Sequence, residues 1–119
     1  MTFSGPERRK HHRISAHFIV SYRIMEEVDG VDTTQTKNLS LGGMLLTTNR
    51  AFLAGTNLAL EIRLPFDPNP MMLIGRVIES KQIIKDMLYD TRLEFLSVDD
   101  KHKNVINQTV DYYQKKEQK

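Results

Sequence analysis

The chain is expected to fold as a mainly β protein, a six-stranded antiparallel β-barrel with a C-terminal α-helix. Two observations predict it. Apolar residues recur at every second position over most of the sequence, as in strands with one buried face, and the spacing changes to threes and fours only after Ser97, as in an amphipathic helix. A third is size. At 119 residues there is enough chain for one core, and closing a sheet on itself buries its apolar side while removing its edges.

Residues 1–13 are read as a flexible, arginine-rich arm, because Gly5, Pro6 and many charges leave no periodicity. Residues 14–119 form the barrel and its helix. The first strand follows from Phe18, Val20, Tyr22 and Ile24, where every second residue is apolar. Glu26 to Asp32 breaks that pattern with charges and Gly30, as a hairpin connection does. Thr33 to Leu39 is extended, Ser40 to Gly43 is a turn, and Met44 to Thr48 is a short strand. The clearest strand is Leu58 to Leu64. Pro65, Pro68 and Pro70 then remove backbone donors and impose a loop. Met72 to Ile84 reads as a long strand, bent or bulged near Gly75, and Tyr89 to Leu96 as the last one.

The helix is carried by Val98, Val105, Ile106, Thr109, Val110 and Tyr113. Ser97 followed by Asp100 resembles a capping box with the shorter acid. Asp99 and Asp100 at its start, and Lys115 and Lys116 at its end, suit the helix dipole.

Composition excludes several functions. The sequence is 39% hydrophobic and 27% charged, with no cysteine and a net charge of +2. Disulfides and thiolate metal sites are ruled out, and a reducing cytoplasm fits. No apolar run approaches the roughly 20 residues that span a bilayer, and the polar, basic start gives no expectation of a signal peptide. Membrane insertion is therefore not expected. General nucleic-acid affinity is not expected from so small a net charge, and the aromatics fall mostly on apolar faces instead of forming stacking platforms. Metal binding is not expected either: His11 and His12 are adjacent, and no carboxylate or thiolate stands at a motif spacing. No nucleophile elbow or Gly-rich Walker sequence is present, so an enzyme is not expected.

Charge distribution is more informative than its sum. Arg8, Arg9, Lys10 and Arg13 crowd into six residues. The C-terminal lysines read as a solvated end. Further along stands Asn38-Leu39-Ser40-Leu41-Gly42-Gly43, which by itself reads as an Asx-type turn opening a hairpin. Taken together, Arg9-x-x-x-Arg13 followed by Asn38-x-Ser40-x-x-Gly43 resembles the paired signature of the PilZ domain family. The likeness runs from Glu7 to the helix.

The resemblance implies a receptor for cyclic di-GMP with no other cofactor. Its ligand residues would be Arg8, Arg9, Arg13, Asn38, Ser40, Gly42 and Gly43, with the arm folding over the ligand onto the barrel and the signal passing to a protein effector. Motility, attachment and exopolysaccharide control are the outputs expected at family level. Guanine offers O6 and N7 acceptors that a guanidinium engages with two parallel hydrogen bonds, and the same group pairs with phosphodiesters. A basic Arg8 beside the pair implies a stacked pair of ligands as one stoichiometry. Gly75, Arg76 and Val77 lie on a strand that borders the ligand in relatives, although for Arg76 a solvated strand position is the simpler reading. Two positions depart from the commonest family pattern: Asn38 stands where aspartate is usual, and Thr91 where glycine is common. An adaptor that keeps the barrel and binds nucleotide weakly or not at all is the alternative.

Overall fold

A computed structural model of the protein describes residues 13–117. Six strands form a closed antiparallel barrel: β1 (Ile19–Ile24), β2 (Asp32–Leu39), β3 (Gly43–Thr48), β4 (Asn57–Ile62), β5 (Met71–Ile84) and β6 (Leu88–Leu96). Around the barrel the order is β1-β2-β3-β6-β5-β4. One helix, α1 (Asp100–Glu117), follows.

The alternation read from the sequence sets which side chains enter the barrel. Leu58, Leu60 and Ile62 on β4, and Met71, Leu73 and Val77 on β5, all point inward and are buried. Gly75 lies between the last two, where an added Cβ would press on Leu60 and Leu93. Each fully buried aliphatic side chain contributes roughly 1.5–3 kcal/mol. The irregularities of β5 fall beyond Gly75, at Val77/Glu79 and Gln82/Ile84, so Gly75 serves packing in a regular stretch.

The interior also holds a row of hydroxyls. Thr91 Oγ1 lies 2.8 Å from Thr48 Oγ1 and 2.7 Å from Ser80 Oγ, joining β3, β6 and β5. Thr48 donates onward to the Arg50 carbonyl, and Ser80 accepts the Phe52 N–H. Thr91 is fully buried, so its departure from glycine is a matter of barrel packing.

The helix seats Val105, Ile106, Thr109 and Val110 on the barrel. Tyr113 meets Phe18 edge-on at 5.4 Å, and Tyr112 meets Phe66 at 5.6 Å. The helix is capped differently from the Ser97–Asp100 expectation. Asp99 is the N-cap: its Oδ1 accepts the His102 N–H at 2.9 Å, and its carbonyl accepts the Lys103 N–H. Ser97 instead takes the left-handed conformation, φ 49°, at the corner where β6 gives way to the helix. No helix among the described residues is long and apolar enough to cross a membrane.

Candidate functional site

The site is built where the chain enters the barrel. Ile14 and Leu39 exchange both backbone hydrogen bonds, Ile14 N–H to Leu39 carbonyl at 2.9 Å and Leu39 N–H to Ile14 carbonyl at 3.0 Å. Both side chains are fully buried. Three residues before Leu39, Thr36 fixes the same run. Its Oγ1 donates to the Ala16 carbonyl at 2.7 Å and accepts the Phe18 N–H at 3.0 Å. The stretch before β1 is thus tied to β2 at two levels, and the antiparallel sense brings Arg13 toward Ser40 and Ser15 toward Asn38.

Arg13 is half-buried at this junction. Arg8 and Arg9 lie outside the described residues. Asn38 sits half-buried near the end of β2, just past a register shift between Thr36 and Asn38. The bulge inserts Lys37, which turns outward to Asp90 on β6 at 3.0 Å. A bulge re-aims the side chains that follow it, here Asn38 at the mouth of the turn.

Ser40 and the glycines do structural work. Ser40 is buried. Its N–H donates to the Gly43 carbonyl at 2.9 Å, while its hydroxyl donates to the same carbonyl at 3.4 Å and accepts the Gly42 N–H at 3.2 Å. The Gly42 carbonyl then accepts the Phe95 N–H at 2.9 Å, docking the turn on β6. At Gly43, an added Cβ would collide with the Leu93 carbonyl. Close approach of β3 to β6 is therefore what requires this glycine.

On the barrel's outer face, register aligns Gly43 with Glu94 and Glu94 with Arg76. The Arg76 guanidinium holds Glu94 Oε2 through Nε at 2.8 Å and Nη2 at 2.6 Å. Both side chains are about half exposed. Arg76 is thus an outward strand residue with an acidic partner. Beside it in register is Asn57, whose Oδ1 is buried without a hydrogen bond. Among the described residues no three His, Cys, Asp or Glu side chains are placed to hold a metal.

The structure therefore brings together Arg13, Asn38, Ser40, Gly42 and Gly43 around one turn. Sequence reasoning missed Ile14, Leu39 and Thr36, which do the positioning. The signal for the first two was faint, one apolar residue directly after Arg13 and one between Asn38 and Ser40. Thr36 gave none, since nothing local tells a buried threonine from the other threonines of β2.

Comparison with solved structures places the same fold in several bacterial proteins. The Bacillus subtilis inhibitor of motility (MotI/DgrA) superposes with a TM-score of 0.73 at 21% identity, over 92% of this chain and 53% of its own. The PilZ domain of YcgR from Escherichia coli, with c-di-GMP, gives 0.69 at 17% identity, over 92% and 94%. The K. pneumonia MrkH–c-di-GMP complex gives 0.71 at 12% identity, over 94% and 54%. This chain spans about half the length of the first and third. No curated protein is detectably similar in sequence. The sequence matches the PilZ domain family over residues 7–112, nearly the whole of the barrel and helix. The chain belongs to the PilZ domain family.

Proposed function

We propose that this protein is a non-enzymatic receptor for cyclic di-GMP, bound by Arg8, Arg9, Arg13, Asn38, Ser40, Gly42 and Gly43. The observation that carries this reading is the paired hydrogen bonding of Ile14 with Leu39, which fixes Arg13 beside the Asn38–Gly43 turn before any ligand arrives. A side chain whose backbone is anchored at the site loses less freedom on binding than one on a free tail. Arg9 and Arg13 engage guanine edges and phosphodiesters, and Asn38 supplies an amide in place of a carboxylate. Family membership supports the reading, as do the structural neighbours YcgR and MrkH, whose structures contain c-di-GMP.

In this account the N-terminal arm folds over the turn on binding, and the changed surface engages a protein effector in the cytoplasm. Calorimetric titration of cyclic di-GMP into wild type, Arg9→Ala and Arg13→Ala tests it. Wild type should bind, with affinity about ten- to a hundred-fold lower in each variant, equivalent to losing a charge-assisted hydrogen bond of about 1.5–3 kcal/mol. Absence of heat with wild type, or equal binding by all three, would refute it.

A second reading has its own support. Ser40 closes the turn with its hydroxyl and Gly43 admits the Leu93 carbonyl, so both motif residues have a reason to be present without ligand. On that reading the protein is an adaptor that uses the barrel alone. An amide spectrum unchanged by cyclic di-GMP would favour it.

A further inference from the structure

Of the cations on the barrel's outer face beside the Asn38 turn, Lys37 and Arg76 are committed. Lys37 holds Asp90 at 3.0 Å, and Arg76 holds Glu94 through two nitrogens at 2.8 and 2.6 Å. Arg92 is different. Its nearest acid is Glu79, with 3.8 Å between Nε and Oε2, too long for a hydrogen bond. A guanidinium carries several N–H donors, and none of those on Arg92 is hydrogen-bonded among the described residues. The side chain is 32% accessible, so a ligand can reach it.

Strand register puts Arg92 in one row with Asn38. Asn38 pairs with Leu45, and Leu45 pairs with Arg92. Met44 and Leu46 on β3, and Thr91 and Leu93 on β6, are buried in the barrel. Leu45 and Arg92 therefore point outward, on the same face as Asn38. Two strand spacings set Asn38 and Arg92 about 10 Å apart, with Leu45 between them. Gly43, the next outward position along β3, adds no side chain above this floor. The row is thus an apolar floor with an amide at one end and an unbonded guanidinium at the other. A purine suits it, with a ring face for the leucine and polar edges for the two ends. A phosphodiester lying on the leucine would lose water without gaining a partner.

We propose that Arg92 is a further ligand residue, which reads the O6 and N7 edge of a guanine seated on Leu45 beside Asn38. The inference rests on the receptor reading above and names the side chain that selects guanine from the barrel side. O6 and N7 lie side by side and match two parallel N–H groups of a guanidinium. Adenine presents an amino donor in place of O6, which the same fork opposes. The side chain is long enough to reach over either neighbouring strand. It gives up a loose contact with Glu79, itself 59% accessible, and such exposed pairs contribute little. Asp90 and Glu94, which flank Arg92 along β6, are held by Lys37 and Arg76 and do not compete for it.

Calorimetric titration of two ligands tests this: cyclic di-GMP, and its analogue with 7-deazaguanine bases, which has a C–H in place of N7. Wild type should prefer cyclic di-GMP. Arg92→Met keeps the apolar stem and should bind cyclic di-GMP about ten-fold more weakly, the loss of one bidentate contact. Its preference over the analogue should shrink. Arg92→Lys keeps the charge without the fork and should behave like Arg92→Met. Because Arg92 points outward, both variants should melt like wild type. Undiminished affinity in Arg92→Met, full affinity in Arg92→Lys, or equal weakening toward both ligands would overturn the assignment and leave the receptor reading standing. No binding of cyclic di-GMP by wild type would overturn both.

Discussion

Ile14 and Leu39 exchange two backbone hydrogen bonds at 2.9 and 3.0 Å while both side chains are fully buried. The motif halves, 25 residues apart between Arg13 and Asn38, become neighbours through this one pair. Leu39→Ala should cost about 2–5 kcal/mol, as other fully buried leucines do. Chemical denaturation measures it, and a cost under about 1 kcal/mol would mean the junction is not packed as described.

Gly43→Ala should fail through folding. The new methyl collides with the Leu93 carbonyl, so β3 must part from β6, at a cost of about 3 kcal/mol or more. Thermal denaturation should show a large fall in Tm for Gly43→Ala and little change for Asn38→Ala. A Gly43→Ala protein with wild-type Tm would show that close approach of β3 to β6 is not what requires the glycine.

The fold was legible wherever pattern is local. Alternation in Leu58–Ile62 and Met71–Val77, and the stripe from Val105 to Tyr113, report which face is buried, and burial builds both the barrel and the helix. Pairing between distant residues leaves no such trace. Nothing near Thr36 says that its hydroxyl ties Ala16 and Phe18 in place. The helix start was misjudged by two residues because Ser97 and Asp99 are both good caps, and only the left-handed turn at Ser97 decides between them. The turn motif was easy to see in the sequence. That Ser40 and Gly43 are held by the fold could be learned only from what they touch.

Thr91→Val should destabilise the barrel by about 1–3 kcal/mol, although it keeps the shape, because Thr48 and Ser80 lose a buried hydroxyl partner. Urea unfolding midpoints test this. Ligand affinity should not move, since the cluster is inside the barrel. An unchanged midpoint would show that the hydroxyl row does not contribute.

Alkaline stability should depend on Tyr22. Burial, then the Asp32 carboxylate opposite it, raise its phenol above the usual value of 10.0. The native state thus resists ionisation more than the unfolded chain does. Its contribution is complete below pH 10 and is lost as pH rises through the folded value. Unfolding midpoints measured from neutral to strongly alkaline pH should fall less steeply for Tyr22→Phe than for wild type. Parallel curves would contradict the assignment.

The central claim is that Arg13 and the Asn38 turn act as one ligand site. A double-mutant cycle on cyclic di-GMP affinity, using Arg13→Ala, Asn38→Ala and the pair, tests it most directly. The account predicts that the pair loses less than the sum of the single losses, with a coupling of about 1 kcal/mol or more. Strictly additive losses, or affinity unchanged in both single variants, would contradict it.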